Sequence, residues 1–296
     1  MAEAAAIKAQ AEGHVGPVAI ICAVIVVIWY LACIPMNWVI TAPKIEAAGG
    51  GPYNVLAISW NERRPVIPAP HQIIVELWNS IFMVAPWKVK SLIYHCWVTA
   101  SSTLLGFVLG ALLGIGLAIA IVHSKILSKS LMPWIIASQT IPILAIAPMV
   151  IVVLGSIGFT GLVPKSLISM YLCFFPVTIG MVKGLMSPET MQLDLMRTYN
   201  AGVSQMLWKL RFPASVPFLF ASLKVAVAIA LTGAIVGELP TGAVAGIGAR
   251  LLNGSYYGQT VQIWAALFAA SGVAAGLVWF VGFAERLTLK QMGARP

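Results

Sequence analysis

Long apolar runs separated by shorter polar segments make up most of this chain of 296 residues. An apolar run of about 20 residues is long enough to cross the hydrocarbon core of a bilayer as an α-helix. The pattern therefore predicts an all-α membrane protein with six transmembrane helices. The predicted spans cover residues 15–40, 98–122, 131–154, 166–186, 218–239 and 261–284.

The polar segments between these runs give the predicted division of the chain. In the long segment at 41–90, apolar residues recur at helical spacing from 73 to 82, which is typical of a helix lying in the membrane interface. A second polar interruption, at 187–217, separates two spans of the transmembrane core. The predicted divisions are a tail at 1–14, a first span at 15–40, an extracytoplasmic segment at 41–90, a transmembrane core at 91–284 and a tail at 285–296.

The composition supports a membrane protein and gives it an orientation. Hydrophobic residues make up 60% of the chain and charged residues 9%, whereas a soluble domain carries about 25% charged residues. The net charge of +9 comes from cations scattered at the ends of apolar runs, so it does not indicate nucleic-acid binding. With cytoplasmic termini, the short outer loops would hold only Lys165 and Arg250 and the inner segments most other cations, as the positive-inside rule requires.

The polar loop at 187–217 has the pattern of two short helices joined by a turn. Ser187 is a suitable N-cap, and Pro188 is suited to the first helical position. Asn200 and Gly202 lie mid-loop, where a left-handed residue can end one helix before another begins. The sequence therefore predicts a helix–turn–helix on the cytoplasmic membrane surface, where it would serve as a docking surface for another protein.

Prolines and glycines add two further expectations. Pro213 and Pro217 are expected to break the second helix of the loop before the next span begins. Glycines recur every four residues in several spans, which lets a neighbouring helix backbone approach closely. The same spacing occurs at Gly272 and Gly276 in the sixth span. The glycines assigned to helix packing in the second and fifth spans are Gly106, Gly110, Gly114, Gly233 and Gly237.

Several kinds of chemistry are missing from the sequence. It contains no Gly-Lys pair, and hence no phosphate-binding loop of the GxxxxGK[ST] type. It has no paired carboxylates and no Ser/His/Asp or Cys/His set, so we expect no enzymatic activity. The four cysteines form no CxxC pair, so neither a metal site nor a disulfide is expected. Ion-coupled carriers place ionisable groups near the bilayer midplane, and this chain has almost none. An ion-coupled secondary transporter is thus the alternative to a transporter driven by an external energy source.

A few polar residues in the spans are candidates for a transport pathway. Glu238 is expected either to face the outer mouth of a pathway or a partner, or to lie in the outer headgroups beside Pro240. His95 lies either in a pathway or at the membrane interface. The third span contains polar and helix-breaking residues that either line a pathway or only kink the helix. These residues are Gln139, Thr140, Pro142 and Pro148.

The polar loop resembles the EAA loop of permease subunits in binding-protein-dependent ABC importers. The family pattern is Glu-Ala-Ala, three residues, Gly, nine residues, and Ile-any-Leu-Pro. Here Asp194-Leu195-Met196 is followed at the same spacing by Asn200 and by Leu210-Arg211-Phe212-Pro213. Asp replaces the acid, Leu and Met replace the alanines, and Asn, the usual substitute for Gly in a left-handed turn, replaces the glycine.

The resemblance implies a type I importer permease in the inner membrane of a bacterium, with a coupling helix at about 198–208. Its partners would be a cytoplasmic ABC ATPase dimer, a second permease copy, a soluble binding protein and the surrounding lipid, with no nucleic acid. ATP and Mg would be bound by the ATPase, and this chain would hold no cofactor. The residues assigned to ATPase coupling are Asp194, Met196, Arg197, Asn200, Ala201, Gly202, Trp208 and Pro213.

Three further stretches are similar to the nitrate, sulfonate, taurine and bicarbonate branch of these permeases. They are GFVLGALLGIGLAIAIVHSK, TIPILAIAP and RFPASVP. Relatives of that branch carry thiamine-pyrimidine precursors or riboflavin. The resemblance thus leaves two substrate classes open, small oxyanions and flat heteroaromatic solutes. The scarcity of cations in the spans favours an organic solute.

Overall fold

The computed structural model describes residues 2–240 and 243–293, with side chains described from residue 16 onward. All the regular structure in these residues is helical. Twelve α-helices follow one another in the described chain: α1 (Ala2–Ala47), α2 (Pro52–Trp60), α3 (Pro70–Trp78), α4 (Leu92–His123), α5 (Lys125–Ser138), α6 (Ile143–Ser156), α7 (Leu162–Leu185), α8 (Thr190–Thr198), α9 (Val203–Met206), α10 (Phe212–Gly237), α11 (Ile247–Tyr256) and α12 (Thr260–Gln291).

Five of the described helical segments are long and apolar enough to cross a membrane, and there are six if a bent pair of helices counts as one span. The bent pair is α5 with α6, which meet at an angle of 96°. The third span predicted at 131–154 thus falls on two helices, because the helix breaks between Gln139 and Pro142. Proline lacks an N–H and disfavours helical geometry in the preceding residue. The five unbroken candidates are Gly16–Ala47, Leu92–His123, Leu162–Leu185, Val203–Gly237 and Thr260–Gln291.

The chain divides into two compact units, one of which contains the residues up to Ala85 together with Asn253–Ala266. In this unit α1 continues to Ala47, beyond the predicted end of the first span at residue 40. Asn37 in α1 is fully buried and holds the proline-rich segment that precedes α3. Its side-chain oxygen accepts hydrogen bonds from the N–H of Val66 at 2.7 Å and of Ile67 at 3.1 Å. One buried amide thus satisfies backbone groups that the irregular segment leaves unpaired.

The second unit contains Pro86–Leu252 and the residues from Leu267 onward, and α4, α7 and α10 pack together in it. Glycines form the contact surfaces. A Cβ added at Gly114 in α4 would lie 2.8 Å from the carbonyl oxygen of Phe174, and one at Gly233 in α10 would lie 2.9 Å from the Cα of Ser169. Larger residues at these places would push the helices apart. The other predicted packing glycines of α4 and α10 also lie against α7: Gly106, Gly110 and Gly237.

The two glycines of α12 differ from those of α4 and α10. A Cβ added at Gly272 or at Gly276 would meet no described atom within 4 Å. The close helix packing predicted for this pair is therefore not made within the described part of the chain.

Candidate functional site

The polar loop leaves α7 and folds into a short exposed helix, α8. Glu189, rather than Ser187, is its N-cap. The backbone N–H of Glu189 donates to the side-chain oxygen of Gln192 at 3.2 Å. The hydroxyl of Ser187 instead donates to the carbonyl oxygen of Gly184 at 2.7 Å, so this residue closes the end of α7. The predicted cap was thus two residues early, because the same hydroxyl can satisfy a helix end on either side.

The left-handed turn predicted at Asn200 is present. Its φ of 53° is the only positive value at a non-glycine residue in the described chain. The N–H of Asn200 donates to the carbonyl of Arg197 at 2.9 Å, and the N–H of Ala201 donates to that of Met196 at 3.0 Å. These two bonds form a Schellman motif, which satisfies carbonyl groups at the end of α8 and reverses the chain.

The second helix of the loop does not stop at the prolines, so the predicted break there is wrong. From Val203 the chain runs through α9 and a π-helical turn at Leu207–Arg211 directly into α10. Pro213 lies in the first turn of α10, and Pro217 lies inside it. A π-helical turn is wider than an α-helical one, and we infer that its extra space accommodates the Pro213 ring.

The surface of the loop carries an exposed apolar row. Met191, Leu195, Tyr199 and Val203 follow one another at intervals of four residues, and the exposed fraction of their side chains lies between 58% and 79%. Met191 and Leu195 share one face of α8, whereas Tyr199 and Val203 lie on the two sides of the turn at Asn200. Exposed apolar side chains of this kind are usual on a surface that packs against another protein. Beside it, an Arg197 nitrogen lies 2.7 Å from an Asp194 carboxylate oxygen in an exposed ion pair.

The other end of the loop is anchored to the protein core. Leu207 is buried in an apolar cluster that includes Leu185 and Met181 of α7. Arg211 donates from Nη1 to the carbonyl oxygen of Leu185 at 3.5 Å. Trp208, on the same turn, is 57% exposed. The loop therefore presents an exposed face while its base is fixed to α7.

The pathway candidates of the third span lie in and beyond the bend between α5 and α6. Gln139, Thr140 and Pro142 are exposed there, and Pro148 is exposed within α6. The hydroxyl of Thr140 donates to the carbonyl of Ala137 at 2.7 Å. These residues stabilise a break in the helix, and their exposure leaves them open to lipid or to another chain.

Glu238 follows the last residue of α10 and is fully buried. Within the chain its carboxylate is enclosed by protein, and its place at the outer side of the membrane stays a prediction. The hydroxyl of Thr99 lies 2.9 and 3.0 Å from its two oxygens, and the N–H of Gly248 donates to Oε2 at 2.9 Å. Lys165 Nζ lies 3.4 Å from Oε1. Groups from α4, α7 and α11 thus satisfy one buried charge, as a carboxylate in a low-dielectric interior requires.

The helix α11 was not predicted, since residues 240–259 were expected to be a loop. Its first N–H groups point at the cluster: Ile247 donates to the hydroxyl of Thr99 at 2.8 Å, and Gly248 donates to Glu238. Helix N-termini favour negative charge because their first N–H groups lack partners within the helix. The sequence signal for this helix was the change from the Gly-rich segment ending at Gly246 to the apolar residues that begin at Ile247.

Two glycines let the backbone approach the carboxylate. Gly246 has a φ of 129°, and a Cβ added there would overlap the carboxyl group of Glu238. A Cβ added at Gly248 would lie 2.7 Å from the Cβ of Glu238. Side chains at these positions would displace the carboxylate or the helix.

His95 lies next to this cluster and is buried within the chain, and the two positions considered for it, in a pathway or at the membrane interface, stay predictions. Its Nε2 lies 2.8 Å from the carbonyl oxygen of Val89. Its Nδ1 lies 3.0 Å from the backbone nitrogen of Gly246. Nδ1 also lies 2.9 Å from the carbonyl oxygen of Gly246, so both ring nitrogens contact backbone groups whichever of them carries the proton. His95 therefore ties α4 to the segment that leads into α11.

Comparison with known proteins agrees with this architecture. The model of the family described as "Binding-protein-dependent transport system inner membrane component" matches residues 106–289. A probable ABC transporter permease of Haemophilus influenzae is 31% identical over 202 residues, covering 68% of this chain and 77% of the relative. The riboflavin transport system permease of Chloroflexus aurantiacus is 28% identical over 225 residues, covering 76% and 80%.

Another relative is a putative aliphatic sulfonates transport permease of Bacillus subtilis, 28% identical over 225 residues and covering 76% of this chain and 78% of the relative. These matches confirm the resemblance stated from the EAA-like loop, and they give no support to an ion-coupled secondary transporter. The chain belongs to the family of binding-protein-dependent transport system inner membrane components, as a multi-pass permease subunit of an ABC importer.

Proposed function

We propose that two copies of this chain form a translocation pathway and that the 187–217 loop transmits the movement of a partner ATPase to it. The pathway would be built from six spans with both termini in the cytoplasm. ATP and Mg would be held by the ATPase, and a soluble binding protein would deliver the solute. The observation that carries the proposal is the exposed apolar row that runs from α8 across the turn at Asn200 to Val203, on a loop whose base is buried against α7.

The row supports docking because exposed apolar side chains of a short helix, here Met191 and Leu195 on α8, can enter a groove of a partner. Residues of the loop would have separate roles. Leu195 and Tyr199 would enter the groove, Asp194 and Arg197 would form its charged rim, and Asn200 would hold the reversal that presents them. The buried Leu207 would keep the loop fixed relative to α7, so that force on the loop reaches the spans.

The solute is proposed to be small, because the named relatives carry small molecules. The Chloroflexus relative is named for riboflavin, the Bacillus relative for aliphatic sulfonates, and a Synechocystis relative for nitrate. We propose a solute from one of these two classes, a heteroaromatic molecule or an oxyanion.

The test is to replace Leu195 and Val203 by Glu and to purify the permease from its native membranes. We expect the co-purified ABC ATPase, quantified by mass spectrometry, to fall at least about tenfold, since charged residues in a buried contact cost more than 1.4 kcal/mol. The matched control is Thr190→Glu, which adds a charge to the same helix at an exposed polar position.

Retention of the ATPase by the double variant at the level of the control would contradict the docking proposal. Loss of the ATPase from both variants would also contradict it, because the apolar row would then have no special part in the contact. Size-exclusion chromatography of each variant in detergent shows whether the permease itself is intact.

A further inference from the structure

A cavity of about 710 Å³ lies beside the buried carboxylate of Glu238. Its walls come from the first turns of α4, from the segment before α7 and the first residues of α7, and from the chain that follows α10. Glu238 does not line the cavity, but Lys165, which forms the ion pair with it, does. The lining residues that matter for recognition are Tyr94, Trp97, Ser101, Phe159, Thr160 and Lys165.

The size and the lining of this cavity are those of a small-molecule site. Such sites measure about 300–1,000 Å³ and combine aromatic walls with a few polar groups. Trp97 and Phe159 have 70% and 52% of their surfaces exposed, so their rings are available to a flat solute. The hydroxyl of Ser101 donates to the carbonyl of Val98 at 2.9 Å, and its lone pairs can accept a further hydrogen bond.

Lys165 supplies the charge among the described lining residues. Its Nζ lies 3.0 Å from the carbonyl oxygen of Ala245 and 3.4 Å from Oε1 of Glu238. An ammonium group has three N–H donors, so one donor remains for a molecule in the cavity. The Lys165 side chain is only 11% exposed, which restricts that donor to the cavity wall.

The ion pair with Glu238 determines which class of solute the remaining N–H donor of Lys165 can bind. Since the carboxylate neutralises the ammonium charge at short range, the site offers an oxyanion little uncompensated positive charge. A carbonyl oxygen or a ring nitrogen needs only a hydrogen bond, and Lys165 can provide it. Aromatic walls favour stacking of a planar ring, which contributes about 1–3 kcal/mol for a nucleic-acid base on an aromatic side chain.

We propose that this cavity is a binding site for the solute in transit, and that the solute is a flat heteroaromatic molecule whose carbonyl or ring nitrogen accepts a hydrogen bond from Lys165. The ring would stack on Trp97 or Phe159. This inference rests on the proposed transport function, and it selects one of the two solute classes left open there.

Riboflavin is a suitable probe because its fluorescence is quenched when the flavin ring stacks on an aromatic side chain. The full-length permease in lipid nanodiscs is titrated into riboflavin, without ATPase or binding protein. We expect saturable quenching that a soluble 4-aminopyrimidine reverses and that nitrate and ethanesulfonate do not. Trp97→Leu should weaken the binding about tenfold, as the loss of one stacking partner predicts.

Matched controls separate the site from general effects. Trp279→Leu removes a tryptophan that is equally exposed, at 70%, and does not line the cavity. Lys165→Met with Glu238→Gln removes the donor without leaving a lone buried charge, and Lys44→Met removes an ammonium that does not line the cavity. We expect weaker binding in the double variant and unchanged binding in the two controls.

Three results would overturn the proposal: no saturable binding of either heteroaromatic probe, equal binding by the Trp97 and Trp279 variants, or displacement of riboflavin by the oxyanions. A cavity filled by phospholipid would give the first of these results. Because the permease is tested without the ATPase, the outcome does not depend on docking at α8, and either proposal can fail while the other stands.

Discussion

The two ends of the α7 and α10 pair are built in opposite ways. At one end, the loop at 187–217 exposes apolar side chains and an ion pair to its surroundings. At the other end, Glu238 and Lys165 are buried with hydrogen-bond partners from neighbouring helices. The buried end satisfies its own polar groups within the chain, whereas the exposed apolar row is the surface on which we propose that a partner docks. Substitutions should therefore affect folding at the buried end and association at the exposed end.

The largest effect is expected from Lys165→Met, which leaves the Glu238 carboxylate buried without its cation. Breaking a buried pair costs about 3–5 kcal/mol, because the remaining charge stays desolvated. We expect the Tm of the detergent-solubilised permease to fall by about 10 °C in a thermal-unfolding experiment.

Two controls define this effect. Combining Lys165→Met with Glu238→Gln should restore at least half of the lost Tm, since the lone charge is removed. Lys44→Met breaks an ion pair with Glu62 in which the lysine side chain is 52% exposed, and it should cost less. Equal losses in the Lys165 and Lys44 single variants would refute the contrast between a pair whose lysine is buried and a pair whose lysine is half exposed, since the carboxylate is buried in both.

A smaller loss is expected from Gly246→Ala, with Gly258→Ala as its matched control. Both glycines have positive φ, 129° and 64°, but only at Gly246 would a Cβ overlap another group, the Glu238 carboxyl. Strain and overlap together should cost about 3 kcal/mol at Gly246, and strain alone about 1 kcal/mol at Gly258. Chemical-denaturation midpoints of the two variants measure the difference, which should vanish if the carboxyl group is not where the structure places it.

At the exposed end, Asn200→Val should weaken the reversal of the chain after α8. A β-branched residue in the left-handed region costs about 1–2 kcal/mol, whereas Asn200→Gly should be close to neutral. We expect faster proteolytic cleavage within 187–217 and less bound ATPase for the Val variant only. Similar cleavage rates in both variants would mean that the turn does not depend on the conformation of this residue.

The smallest effect on folding is expected from Asp194→Asn. The Asp194 and Arg197 side chains are 64% and 68% exposed, and an exposed pair of this kind contributes within about 0.5 kcal/mol. The Tm should stay unchanged, while the amount of co-purified ATPase falls if the pair forms the rim of the docking surface. A clear loss of Tm would show that this ion pair stabilises the loop itself.

Local features of the sequence predicted the exposed end well. The turn at Asn200 depends on three or four neighbouring residues, and its position follows from their order. The same is true of the apolar runs that form the candidate spans. The cap at Ser187 and the break at Pro213 were wrong because a hydroxyl can cap either of two helix ends, and because a wide helical turn accommodates a proline.

The buried end could not be predicted in the same way. Lys165 is 73 residues from Glu238 and Thr99 is 139 residues from it, so nothing in the local pattern joins them. The helix α11 begins where its N–H groups meet the carboxylate, and a Gly-rich segment gives no comparable signal. The 96° bend between α5 and α6 was signalled only as an uneven, proline-containing span, since its angle depends on packing between distant residues.

The absence of a break at Pro213 has a mechanical consequence. From Val203 to Gly237 the chain is one helical rod of 35 residues, about 50 Å long at 1.5 Å per residue. A helix resists both stretching and compression along its axis, because each turn is hydrogen-bonded to the next. A displacement of the loop at Val203 would therefore be transmitted along the helix to Glu238, which follows its last residue. Through the ion pair with Lys165 it would also reach the wall of the cavity.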